Sequence, residues 1–94
     1  PTFINSKSSI LNSIQLYPNP AKYYFNISGY FEKEEKVTID IKDAQAKLVK
    51  QAVNAYVLGP YNEKIMTDYF SPGVYFIHIQ IGNQSMVKKL IIMK

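Results

Sequence analysis

A chain of 94 residues, 47% apolar and 19% charged, has the make-up of one globular domain with a single modest core, and an enclosed active site would compete with that core for the same residues. Its net charge of +4 comes from eleven basic side chains, all of them lysine. Without the bidentate fork of arginine this balance points away from phosphate or base-edge reading, so no nucleic-acid partner is expected.

There is no cysteine, hence no disulfide or thiol chemistry, and a domain of this size need not be stapled, so the compartment stays open on that count. No apolar run approaches the roughly 18–20 residues of a membrane helix, and no transmembrane segment is expected. The sequence begins at Pro1 with neither methionine nor an export signal, the expectation for a processed piece or a domain cut from a longer protein.

Residues 1–13, PTFINSKSSILNS, mix Ser and Asn with isolated apolar positions and suit a flexible linker from an upstream domain; the domain proper is expected over 14–94. Next comes LYPNP, in which Pro18 and Pro20 bracket Asn19. Each proline fixes φ and removes a backbone donor, so this stretch can be extended but cannot lie inside a central ladder. It reads as a rigid threshold ahead of the first strand.

From there the apolar period is two. Tyr23, Phe25 and Ile27 alternate with Tyr24, Asn26 and Ser28; Val37, Ile39 and Ile41 with Thr38, Asp40 and Lys42; Tyr75, Ile77, Ile79 and Ile81 with Phe76, His78 and Gln80. Turn chemistry separates the runs: FEKEEK at 31–36, KDAQAK at 42–47, LGPYN at 58–62, SPG at 71–73 and GNQ at 82–84. Turns at roughly ten-residue spacing and about seven short strands predict an all-β fold, a small immunoglobulin-like antiparallel β-sandwich. In the terminal QSMVKKLIIMK, Lys88 and Lys89 must point to opposite faces, and the sequence alone does not say which faces the core.

The residues that carry chemistry are sparse. His78 is a lone imidazole on a regular strand, with no thiolate and no second histidine to complete a zinc site, and it reads as an outward strand residue. No G-x-S-x-G elbow is present, and Gly29, Gly59, Gly73 and Gly82 are scattered through separate turns, so they build no phosphate cradle. Glu32, Glu34 and Glu35 lie in a lysine-mixed turn that reads as a solvated hairpin end. No catalytic residue, metal ligand or cofactor site is assigned, and the chain is not expected to be an enzyme.

The eight tyrosines leave two readings open. Tyr56, Tyr61 and Tyr69 with Phe70 would form a platform for sugar rings or a protein hot spot if exposed together, or bury their rings and bond their hydroxyls at sheet corners. The first would make the chain a non-catalytic carbohydrate-binding or adhesive module.

The order of punctuation carries more. LYPNP at 16–20, TIDIKDAQAKLV at 38–49, SPGVYFIHI at 71–79 and VKKLIIMK at 87–94 together resemble the type A C-terminal sorting domain of proteins exported by the type IX (Por) secretion system of Bacteroidetes. One position departs: the family's turn usually reads Asp-x-x-Gly, and here Asp43 is followed by Ala46, where glycine would tolerate positive φ.

The resemblance implies a folded secretion signal whose partners are the translocon, an outer-membrane shuttle protein and a surface sortase. The attached cargo would pass the periplasm and outer membrane to the cell surface or medium, with the sortase removing the domain. It marks Pro18, Asn19, Pro20, Asp43, Gly73, Tyr75, Lys88, Lys89 and Lys94 as recognition residues, with no catalytic or metal residue. Two further expectations attach to it. The prolines would hold the first strand in a fixed exit direction, and the LIIMK edge would either offer unpaired backbone groups to a partner strand or complete the core.

Overall fold

The computed structural model describes residues 14–94. The linker expected over 1–13 lies outside them. Among the described residues five antiparallel strands form one sheet: β1 (Gln15–Tyr17), β2 (Tyr24–Lys42), β3 (Leu48–Met66), β4 (Gly73–Ile81) and β5 (Gln84–Ile92). The all-β antiparallel expectation holds, and the period-two runs are strands.

β2 is the spine. It pairs with β3 along its length, and its other edge is shared by β1, which faces residues 26–28, and β4, which faces residues 37–42, with β5 beyond β4. Two partners on different halves of one edge curl the sheet into a half-barrel. Its concave face gathers Phe25, Ile27 and Phe31 from the first half of β2 and Val37, Ile39 and Ile41 from the second. Tyr75, Ile77 and Ile79 of β4 and Leu90 and Ile92 of β5 complete it, all buried. Ile14 is also buried, and it packs so closely on Gly29 that a Cβ there would stand 2.6 Å from the Ile14 Cδ1. Glycine in β2 is the means of that approach.

The strand count corrects the expectation of about seven. FEKEEK and LGPYN are not hairpin turns; they face each other inside the 19-residue strands β2 and β3. The register shifts between Phe31 and Glu35, leaving Glu32, Lys33 and Glu34 exposed, while Gly59 opposite Phe31 takes φ +82°. Charged residues and Gly-Pro thus mark an irregularity that bends a continuous hairpin. Pro60 is tolerated because, among the described residues, β3 pairs only with β2 and so runs along the sheet's edge.

That same irregularity corrects the reading of Glu35. Glu32 and Glu34 are solvated, but the shift places Glu35 on the inward row with Val37, and its Oε2 has no hydrogen-bond partner. The remaining turns fall where expected: 43–47 joins β2 to β3, residues ahead of Gly73 lead into β4, and Gly82-Asn83 closes β4 on β5.

Candidate recognition site

Strand register brings the motif segments together. Lys42 of β2 faces Phe76 of β4, which faces Lys89 of β5, and Gly73 faces Ile92. The C-terminal end of β2, the start of β4 and the end of β5 therefore lie side by side at one end of the sheet.

Residues 18–20 reach the same place, and not as a threshold ahead of the first strand: β1 precedes them and pairs with β2. Both X-Pro bonds here, Tyr17-Pro18 and Asn19-Pro20, are cis. The segment runs along the outer edge of β5. Asn19 Nδ2 donates to the Lys89 carbonyl at 2.9 Å, and Asn19 Oδ1 accepts from the Ile91 N–H at 3.2 Å. Ala21 follows with a pair of backbone bonds, its N–H to the Ile91 carbonyl and its carbonyl from the Met93 N–H, each 2.8 Å. A carboxamide offers the donor and acceptor of a peptide group, so Asn19 acts as one more residue of a short parallel strand. The LIIMK edge is thus covered here, and Leu90 and Ile92 complete the core.

The faces of the two adjacent lysines are settled by the strand. Lys88 shares the inward row with Leu90 and Ile92 and is half-buried; Lys89 points outward and is exposed. Lys94 turns back on the loop after β3, its Nζ donating to the carbonyls of Thr67 at 2.6 Å and Asp68 at 3.3 Å. Thr67 in turn binds the chain just past the strap of residues 19–21, through its hydroxyl to the Lys22 carbonyl at 2.9 Å and its N–H to the Tyr23 carbonyl at 3.1 Å. Tyr75 buries its ring against Phe70, centroids 5.3 Å apart, and donates its hydroxyl to the Ser71 carbonyl at 2.6 Å, fixing the loop ahead of Gly73. Gly73 itself sits at φ +149°, which side chains rarely adopt.

Asp43 closes its own turn. One carboxylate oxygen accepts from the N–H groups of Gln45 and Lys47, both 2.9 Å, while the Ala46 N–H reaches the Asp43 carbonyl at 2.9 Å. Ala46 itself takes φ +68°, so the alanine, and not Gln45 or Lys47, absorbs the left-handed conformation. That conformation disfavours any residue with a Cβ. Ala46→Gly is expected to stabilise the domain by about 1 kcal/mol in urea unfolding; an unchanged or lowered midpoint would refute the assignment of strain.

The tyrosines do not form one platform. Tyr69 is 97% and Tyr56 68% exposed, but Tyr56 lies beside the bend and Tyr69 beyond the far end of β3, roughly 30 Å of extended strand away. Phe70 is buried, and Tyr61 is half-buried with its ring edge-on to Phe31. Burial, with a smaller contribution from Glu63, raises the Tyr61 hydroxyl from 10.0 to about 12. The unfolded chain therefore releases this proton first as pH rises. Stability tied to Tyr61 is intact below pH 10 and drains away between pH 10 and about 12. Wild type should lose more stability than Tyr61→Phe over that window in urea titrations, and parallel losses would show that Tyr61 contributes nothing to it.

His78 stands half-buried on the convex face, opposite Asp40 and Val87, and the Asp40 carboxylate accepts from Gln51 Nε2 at 3.0 Å. Among the described residues no three His, Cys, Asp or Glu side chains converge as metal ligands.

What the described residues build is a small β-domain that brings the segments around Asn19, Gly73 and Lys94 to one end of the sheet. The family described as "Secretion system C-terminal sorting domain" matches residues 15–93, and the chain belongs to that family. It is a non-catalytic sorting signal of the Por, or type IX, secretion system, and its cargo is secreted or displayed at the cell surface. No curated protein matches the chain.

Proposed function

We propose that the type IX translocon of a Bacteroidetes cell reads this type A domain as a folded unit at the end of the sheet where the strap, β4 and β5 meet. The observation that carries the reading is the convergence there of Pro18, Asn19, Pro20, Gly73, Tyr75, Lys88, Lys89 and Lys94, with the Asp43 turn alongside. Residues 14–94 act as the signal and 1–13 as the linker to the cargo. An outer-membrane shuttle protein takes the domain from the periplasm, and a surface sortase cuts near the linker. The bend in the β2–β3 hairpin supports reading the curled half-barrel as a small immunoglobulin-like sandwich.

The test is a periplasm-targeted fluorescent reporter carrying residues 1–94, expressed with and without a working type IX system. Surface or medium fluorescence only in the competent strain supports the proposal. A folded fusion retained in the periplasm of both strains refutes sufficiency of the domain.

A further inference from the structure

The edge of β5 is divided. Because the N–H and carbonyl of Ile91 both point to the strap, the odd-numbered residues of β5 turn their backbone groups away from β4, while Leu90 and Ile92 bond to it. By the same alternation the Val87 N–H and carbonyl and the Lys89 N–H point outward, and among the described residues none of these three is bonded. One half of the edge is open to an added strand; the other half, from the Lys89 carbonyl to the Met93 N–H, is taken by Asn19 and Ala21.

The cover and the strand it covers differ in how they are held. Pro18, Asn19 and Pro20 are all exposed, so apart from the buried methyl of Ala21 the strap rests on hydrogen bonds. β5 beneath it is anchored by Leu90 and Ile92 in the core. Segments with few buried apolar contacts open before the core does.

We propose that residues 19–21 are a releasable strap on a strand-docking edge. An extended segment of the secretion machinery pairs first with the open half of β5 around Val87, and then extends along residues 89–93 by taking the bonds that Asn19 and Ala21 give up. The identity of the incoming strand rests on the sorting function proposed above; the opening of the strap does not.

The experiment joins amide hydrogen exchange of the full 94-residue chain to export of the reporter. In wild type the Ile91 and Met93 amides should exchange through a local opening that denaturant does not accelerate, while Leu90 and Ile92, adjacent in sequence but bonded to β4, stay protected. Asn19→Ala should speed exchange at Ile91 about tenfold and leave Leu90 unchanged. Val87→Pro, which removes the outward N–H of the open half and leaves the β4 ladder intact, should cut export of the reporter while Leu90 stays protected.

Exchange of Ile91 and Met93 in step with Leu90 and Ile92 would overturn the proposal, since the strap would then be part of the core unit. So would undiminished export by Val87→Pro with Leu90 still protected, because the open half of β5 would then not be where an incoming strand pairs. A wild-type reporter that stays in the periplasm overturns the sorting reading instead, and the exchange pattern then decides alone whether the strap opens.

Discussion

Removal of residues 90–94 is expected to unfold the domain, and not merely to blind its recognition. Leu90 and Ile92 are 0% and 1% exposed, and deleting even part of such a side chain costs about 2–5 kcal/mol. The same cut takes away Ile91 and Met93, which hold the strap, and the Lys94 ammonium that ties down the loop after β3. Against a total stability of about 5–15 kcal/mol for a domain, these losses leave little folded chain. Circular dichroism and amide dispersion of the truncated protein check this. A cooperative melt retained after truncation would show instead that the terminal residues serve recognition alone. The practical consequence is that failed export of a truncated cargo does not identify a linear signal; Lys94→Ala, which spares the core, is the sharper probe.

Phe31→Ala should cost about 3–5 kcal/mol, the range for emptying a fully buried aromatic site. Phe31 is 0% exposed, meets Tyr61 edge-on at 6.1 Å, and stands where the register of β2 and β3 shifts. Its ring is buried beside Tyr61, so the cavity would open at the register shift between β2 and β3. The urea midpoint measures the loss, with Tyr30→Ala beside it as control: Tyr30 is exposed, and its truncation should fall within about 0.5 kcal/mol of wild type. A loss below about 1 kcal/mol at Phe31 would mean that the backbone ladder alone maintains the bend.

The strands were legible because their signal is local. Phe25 and Ile27, Val37 to Ile41, and Tyr75 to Ile81 alternate in the sequence, and the same residues line the concave face. The bend was not, because a run of five charged residues and a Gly-Pro pair have the same composition whether they reverse a chain or distort a long hairpin. Only the pairing of Phe31 with Gly59 distinguishes the two. Glu35 was misplaced for the same reason, since its inward direction is set by the register shift and not by its neighbours in sequence.

The site divides along the same line. Asp43 announces its turn within five residues, and the Pro18-Asn19-Pro20 motif is conspicuous, but its purpose depends on β5, far away in the chain. An amide side chain between two residues that lack N–H groups was the available hint: it is the peptide-like donor and acceptor that the flanking prolines cannot fully supply. Lys94 gave no such sign, because nothing in a lysine tells whether its ammonium faces solvent or the carbonyls of a loop.

The clasp has one more property, which concerns the order of synthesis. The partners of Asn19 lie 70 and 72 residues further along the chain, whereas β2 and β3 meet through a short local turn. A chain made from its N-terminus can form the β2–β3 hairpin long before β5 exists, and loops of such length are closed late. Until residues 89–93 have emerged, Asn19 and Ala21 have nothing to hold, and Ile14 and β1 wait on an unfinished half-barrel. Closure of the strap is thus a physical mark that translation has run through the whole domain, and a polypeptide broken off earlier carries no completed copy of it.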